Sequence, residues 1–308
     1  MAIIDINEML DAGVHFGHLK RKWNPNMAPY IFMERKGVHI IDLHKSAAKL
    51  EEAYAAVRQI AQSGKKILFV ATKKQAKDIV AEYSKKVNMP YVTERWFGGL
   101  LTNFATIRKA VRKMSSIDKM MTDPSFSNIS KRERLQITRE RAKLEKNLGS
   151  IADLNKLPAA IFVVDIIKEK IAIAEAKKLD IYTFAIVDTN GDPNQVNFPI
   201  PGNDDASKSI ALIISKMAEA IEEGLKQRKL DRDKIEEEKM ENADDSEFNK
   251  SDIEHLDEDE TPAVAIDGGD KKGVKIPGTR KRLKVKNIHE ENEPTIIKKP
   301  KKTNTLRK

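Results

Sequence analysis

Two short runs without a polar face constrain this chain more than any other feature: Ile67-Leu68-Phe69-Val70-Ala71 and Ala159-Ala160-Ile161-Phe162-Val163-Val164. Each has the length of a strand, and a strand apolar on both sides must be covered on both sides. A parallel sheet between two layers of helices meets that requirement. The neighbouring segments supply the layers. Gly64 precedes the first run, a helical stretch over 73–87 follows it, and the extended piece Tyr91-Val92-Thr93 comes after Pro90. Strand, helix and strand make a parallel crossover unit. The second run follows Pro158 and leads into a helix over 168–179, a strand over 183–187 and an amphipathic helix over 207–225. Ahead of them, 30–33 and 38–41 flank Arg35-Lys36-Gly37 as a hairpin, and 45–62 reads as a helix. The expected class is α/β, a parallel sheet flanked by helices.

Residues 101–150 interrupt the alternation. Ile107, Ala110, Met114, Ile117 and Met121 follow a 3-4-3-4 spacing, an apolar seam along one helix. Thr122-Asp123-Pro124-Ser125 signals a turn, and a second helix over about 130–148 offers Ile137, Leu144, Leu148 and Ile151, with Arg141 breaking its seam. Two heptads are too few for a free coiled coil, so a two-helix insertion over about 104–150, closed along its seam, is expected. This segment carries a net +7, nearly the whole excess of residues 1–225, which is +8. Arg108, Lys109, Arg112, Lys113, Lys131, Arg132, Arg134 and Arg139 are expected to face largely outward, the footprint of a protein that sits on phosphates. An ordinary solvated helical face is the competing reading.

Beyond residue 226 the charge falls into blocks, −13 over 231–270 and +11 over 271–308. Such blocks repel themselves and bury little, so 1–225 is read as the folded body and 226–308 as a disordered acidic-then-basic tail. A chain ending near Leu230 is expected to keep the full chain's thermal transition. The absence of cysteine excludes disulfides, thiol nucleophiles and iron–sulfur clusters and suits a reducing cytoplasm. The first ten residues, MAIIDINEML, lack the basic-then-apolar order of a secretory signal. No apolar run approaches the roughly 20 residues of a membrane span.

A sheet of this kind invites a nucleotide-dependent enzyme, because ligands gather at the carboxyl ends of its strands. The phosphate-binding signatures are missing: no G-x-G-x-x-G follows a strand and no G-x-x-x-x-G-K-[ST] occurs. Gly98-Gly99 stands without the rest of a fingerprint, and Thr72-Lys73-Lys74 after the first run is basic but has no glycine to admit a phosphate. There is no G-x-S-x-G elbow. His15-x-x-His18 lacks a nearby third ligand at a known spacing and reads as structural or base-stacking. Asp188-Thr189-Asn190-Gly191-Asp192 opens like a calcium loop and then fails at Pro193. With Asp204 and Asp205 it serves turn and cap chemistry, a cation remaining the open alternative. No catalytic residue, metal or cofactor is assigned. The unusual feature is cations interleaved with aromatics and amides, in Arg21-Lys22-Trp23-Asn24 and in Arg95-Trp96-Phe97 up to Asn103. These groups stack on bases or read phosphate and sugar; they serve equally as loop anchors whose Trp fills the core.

Leu10-Asp11-Ala12-Gly13-Val14-His15-Phe16-Gly17-His18, running on to Asn24-Pro25 and Tyr30-Ile31-Phe32, resembles the opening of the bacterial small-subunit ribosomal protein S-two family, as does Val38-His39-Ile40-Ile41-Asp42-Leu43. Arg95-Trp96-Phe97-Gly98-Gly99-Leu100-Leu101-Thr102-Asn103-Phe104 is similar to its central motif. Ala185-Ile186-Val187-Asp188-Thr189-Asn190 and Pro199-Ile200-Pro201-Gly202-Asn203-Asp204-Asp205-Ala206 are similar to its late one. The resemblance covers about residues 5–225. It implies a flavodoxin-like domain with an inserted helical hairpin and a non-catalytic place in the small ribosomal subunit near the junction of head and body. There it implies contacts with ribosomal RNA and neighbouring proteins, and help in docking the messenger-binding ribosomal protein one. Nothing carries over to the tail, which is longer and more charged than the family's usual end. The competing function is a nucleotide-dependent enzyme on the same fold. The residues expected to meet RNA are Arg21, Lys22, Trp23, Asn24, Arg95 and Asn103 together with the eight cations of the insertion.

Overall fold

Both apolar runs form strands over 67–70 and 160–164, and every residue of those two strands is buried. The computed structural model describes residues 5–251 apart from Ser125 and 127–129, with side chains as far as Lys234. A short helix α1 (Ile6–Asp11) and strand β1 (Phe16–Leu19) lead into a hairpin, β2 (Ile31–Arg35) and β3 (Val38–Ile41), and helix α2 (Leu43–Gln62). The sheet unit then runs β4 (Ile67–Val70), α3 (Lys74–Lys86) and β5 (Tyr91–Val92). The insertion is α4 (Phe104–Thr122) and α5 (Lys131–Leu148). After it come β6 (Ala160–Val164), α6 (Lys170–Lys178), β7 (Tyr182–Val187), β8 (Phe198–Pro201) and α7 (Ser207–Ser251).

The five later strands form one parallel sheet in the order β5-β4-β6-β7-β8. Counted along the chain this is 2-1-3-4-5, the flavodoxin-like order, with its switch point between β4 and β6. Register aligns Tyr91, Phe69, Phe162, Phe184 and Phe198 in one row across all five strands. Phe184 and Phe198 stack at 4.6 Å, and Phe69 and Phe162 meet tilted at 5.5 Å. That row packs with Leu50, Val57, Val80, Ile213 and Met217 under α2, α3 and α7. Residues of opposite parity, Leu68, Val70, Ile161, Val163, Ala185 and Val187, face α6, the loop around Trp96 and the root of the insertion. Alternate residues of each strand thus enter two separate cores, which is why neither run has a polar face.

β1, β3 and β2 form a second, antiparallel sheet. It is seated on the end of β7: the Thr189 hydroxyl accepts the His18 amide at 2.8 Å, and the Thr189 carbonyl accepts the Asn24 amide at 2.8 Å. Gly17 permits that approach, since a Cβ there would lie 2.6 Å from Thr189 Cγ2 and 3.0 Å from the His39 carbonyl oxygen.

The insertion closes along a seam slightly different from the expected one. Val111, Met114 and Ile117 are buried while Ala110 and Met121 are half-buried. The 3.6-residue period of a straight helix moves Val111 into the place that a strict seven-residue count assigns to Ala110.

At the carboxyl end α7 does not stop at 225. It continues through Ser251, and the packed contacts extend past the proposed boundary. Gln62 donates to Asp231 at 3.0 Å, and the Arg228 guanidinium lies over Gly64, where a Cβ would be 2.1 Å from it. The first part of the acidic block is therefore a helix extension, and a cut at Leu230 would remove Asp231. The tail expectation for 252–308 lies outside the described residues. A chain ending at Ser251 is expected to keep the thermal midpoint of the full chain. One ending at Leu225 should lose ~1–2 kcal/mol from these contacts, about 2–8 °C for a body of this size, by differential scanning calorimetry.

Candidate functional site

Two arrangements are candidates. The first lies at the topological switch point, where a doubly wound sheet ordinarily holds its ligand. Lys73 follows β4, Asp165 follows β6, Asp188 follows β7, and Asp204 and Asp205 follow β8, so five charged groups converge from four strand ends. The Lys73 ammonium meets Asp205 Oδ1 at 2.6 Å, Asp204 Oδ1 at 2.9 Å and Asp165 Oδ2 at 3.7 Å. His18 enters from β1, its Nδ1 2.9 Å from Asp188 Oδ2 and its Nε2 3.5 Å from Asp205 Oδ2. Beside them Glu169, buried, accepts the Thr72 amide at 3.0 Å and the Thr72 hydroxyl.

Burial and the neighbouring Asp188 and Asp165 charges push the Asp204 carboxyl up to about 7, only partly offset by Lys73. The hydrogen bond to Asp188 raises His18 above its ordinary value in spite of burial, helped by the charges of Asp188, Asp204 and Asp205. Burial works against the Lys73 cation, but Asp205, Asp204 and Asp165 outweigh it and hold the ammonium charged. His18, Asp188 and Asp204 offer ligand atoms within 4.8 Å of one another and could share a cation. His15 is not among them; its ring packs on that of Phe16, with ring centres 4.0 Å apart. The ammonium of Lys73 already provides a positive charge to this acidic set. Lys73→Met is expected to cost ~1–3 kcal/mol at pH 7 by urea unfolding. The cost should be smaller at pH 5, where Asp204 is protonated and no longer needs a counter-charge. An equal loss at both pH values would mean that Lys73 acts through packing alone.

The second arrangement is the basic insertion and the loop that roots it. Trp96 is 7 % exposed, and its indole donates to Glu175 Oε1 at 3.1 Å. The same carboxylate accepts the Gly99 amide at 2.7 Å, the Leu101 and Thr102 amides at 3.0 and 3.1 Å, and the Thr102 hydroxyl at 3.2 Å. Burial opposes the charged form of Glu175, but these donors prevail and hold its carboxyl below the usual range. Glu94 adds a tether outside, bridging Lys77 of α3 and Lys146 of α5 at 3.3 Å each. The loop before α4 is thus fixed to α6 by one side chain that the sequence reading passed over.

The proposed RNA-facing residues divide accordingly. Lys109, Arg112, Lys131, Arg132 and Arg139 are exposed on the insertion, as are Arg21, Lys22, Trp23, Arg95 and Asn103 nearer the sheets. Arg134 is half-buried. Lys113 is exposed but ion-paired to Glu140 across the two helices. Trp23 is tilted against His39 with ring centres 5.4 Å apart, and Asn24 is engaged locally, its side chain accepting the Asn26 amide at 2.9 Å. Asn103 precedes α4 and accepts the Thr106 hydroxyl at 2.8 Å. Arg108 corrects the expectation that it faces outward. Its guanidinium turns back to the Ala152 and Leu154 carbonyls at 3.3 and 3.1 Å and to Asn155 Oδ1 at 2.7 Å, locking the chain that leaves the insertion. Helical spacing alone could not reveal these acceptors, which lie more than forty residues away.

A flavodoxin-ordered sheet whose switch point is occupied by its own ion pairs, and whose largest cationic feature is a rooted helical arm, defines a scaffold domain. Residues 9–224 match the family model described as Ribosomal protein S2. The small ribosomal subunit protein uS2 of Flavobacterium johnsoniae is 67% identical over 225 residues, 73% of this chain and 89% of that protein. The proteins of the same name from Christiangramia forsetii and Phocaeicola vulgatus are 66% and 64% identical, covering 73% and 75% of this chain and 76% and 83% of theirs. The chain belongs to the ribosomal protein S2 family. Its role is structural and ribosomal, and the enzyme reading is not supported by these relatives.

Proposed function

We propose that the chain takes its place in the small ribosomal subunit by laying the basic insertion on ribosomal RNA, while the two-sheet body meets neighbouring ribosomal proteins near the junction of head and body. The observation that carries this reading is the exposed set Lys109, Arg112, Lys131, Arg132 and Arg139 on an arm whose base is fixed by Glu175 and Arg108. A rigid arm presents cations at fixed spacing, so phosphate contacts form without a further cost of ordering. Trp23, Arg21 and Lys22 extend the cationic surface on the side of β1. The body also supports docking of the messenger-binding ribosomal protein one, and the working compartment is the cytoplasm. Sucrose-gradient fractionation of cells expressing a tagged chain tests the reading: stoichiometric co-sedimentation with small subunits is expected. Recovery only in the soluble pool would sink it.

A further inference from the structure

The insertion is not evenly charged around its circumference. Where α4 and α5 face each other, cations are neutralised across or along the helices: Lys113 of α4 pairs with Glu140 of α5, and Arg141 of α5 pairs with Asp118 of α4 and with Glu145 of its own helix at 2.5 Å each. On another side a groove of about 450 Å3 opens between α4 and the segment after α5, lined by Arg108, Arg112, Ser115, Ser116, Lys119 and Asn155. Arg108, Arg112, Ser115 and Lys119 recur at intervals of four, three and four residues, with Ser116 beside Ser115, and so form one stripe of α4. Among the described residues neither Arg112 nor Lys119 is ion-paired, and Asp153 is the one carboxylate lining the groove. Arg108 holds the far wall through Ala152, Leu154 and Asn155, and its charge stays inside the groove with no carboxylate bound to it. The result is a concave, hydroxyl-lined cationic slot on α4, whose Lys113 by contrast is already paired to Glu140.

We propose that this groove receives the phosphodiester backbone of ribosomal RNA, with Arg112 and Lys119 on phosphates, the Ser115 and Ser116 hydroxyls donating between them, and Arg108 as a positioning residue. The inference rests on the RNA-facing role of the insertion proposed above and assigns that role to one face of α4. Arg112 and Lys119 are seven residues apart, about 10 Å along the axis, so they reach two different phosphates. Concave placement also favours RNA over bulk counter-ions, because a groove walled by protein focuses the field.

The test uses the full-length protein and small subunits stripped of it, with binding measured from 50 to 200 mM salt. Each phosphate contact contributes about 0.7–0.9 to the slope of log affinity against log salt. Arg112→Gln/Lys119→Gln should therefore flatten the slope by about 1.4–1.8. Over that range the wild type loses roughly tenfold more affinity than the variant. Lys177→Gln/Lys178→Gln, exposed on α6 and outside the RNA-facing set, is the comparison of equal charge and is expected to keep the wild-type slope, and circular dichroism melting confirms that each variant is folded. A photo-crosslinking residue at Ser116 is expected to label ribosomal RNA. A wild-type slope in the Arg112/Lys119 variant, or crosslinks confined to protein, overturns the groove assignment while leaving the ribosomal role intact. Failure of the wild-type protein itself to rebind the stripped subunits would instead remove the reading on which the assignment rests.

Discussion

Glu175→Ala is expected to lower the unfolding free energy by about 3–5 kcal/mol, measured by chemical denaturation, through loss of the charge-assisted bonds at one buried carboxylate. Three backbone amides, an indole and a hydroxyl converge on it, and alanine leaves all five donors without their acceptor. The loss should be felt where the arm meets the sheet, so amide exchange is expected to accelerate first over 96–104. The carboxyl is held below the usual range, which fixes the sign of the pH dependence. A group with a depressed folded pKa stabilises above its unfolded value, near 4.3, and that stabilisation drains away as pH falls through the folded value. Wild-type protein should therefore lose stability below about pH 4.3 with a component that Glu175→Gln lacks. Parallel pH profiles for the two proteins would show that another carboxylate governs the acid limb.

Trp96→Ala is expected to cost roughly 3–5 kcal/mol, as large aromatic truncations in packed sites do. The ring is buried with Leu100, Leu101 and Val92 on the face of the sheet toward α6, between the strand layer and the root of the insertion. Trp96→Phe keeps most of the apolar contact and loses only the bond to Glu175, so a smaller cost of about 1 kcal/mol is expected. Because Trp96 and Glu175 touch, their double variant should fall short of the sum of the singles by 0.5 kcal/mol or more. Unchanged stability with lost subunit incorporation would make Trp96 a recognition residue.

The sheet was legible because its strands solve a local problem visible in one dimension. Ile67–Val70 and Ala160–Val164 have no polar face, and only a covered parallel sheet accommodates them. The insertion was legible for the same kind of reason, a repeating seam between two helices. β1 and the short β8 were less visible. Phe16-Gly17-His18-Leu19 has two exposed ends and pairs through an irregular register, and Phe198-Pro199-Ile200-Pro201 contains two prolines that propensity assigns elsewhere. Sites assembled across the fold were the hardest. Lys73, Asp165, Asp188 and Asp204 each occupy an ordinary position after a strand, and their convergence follows from strand order rather than from spacing. One signal was available: Asp165 and Asp188 each directly follow a buried parallel strand, the place where such folds put their chemistry. Glu175 had no comparable mark, since a Glu within Ala-Glu-Ala-Lys-Lys reads as a solvated helix residue until the fold brings the Trp96 loop over it.

The ion-paired switch point also bears on how the body depends on its surroundings. In a fold of this kind a bound solute at the crevice stabilises the native state by mass action, so the melting temperature follows its concentration. Here the positive charge at the crevice is covalently part of the chain, delivered by Lys73 at an effective concentration that no cellular pool can dilute. The crevice keeps its counter-charge in a starved cell as in a growing one, and a component meant to be built once into a long-lived particle gains from that independence.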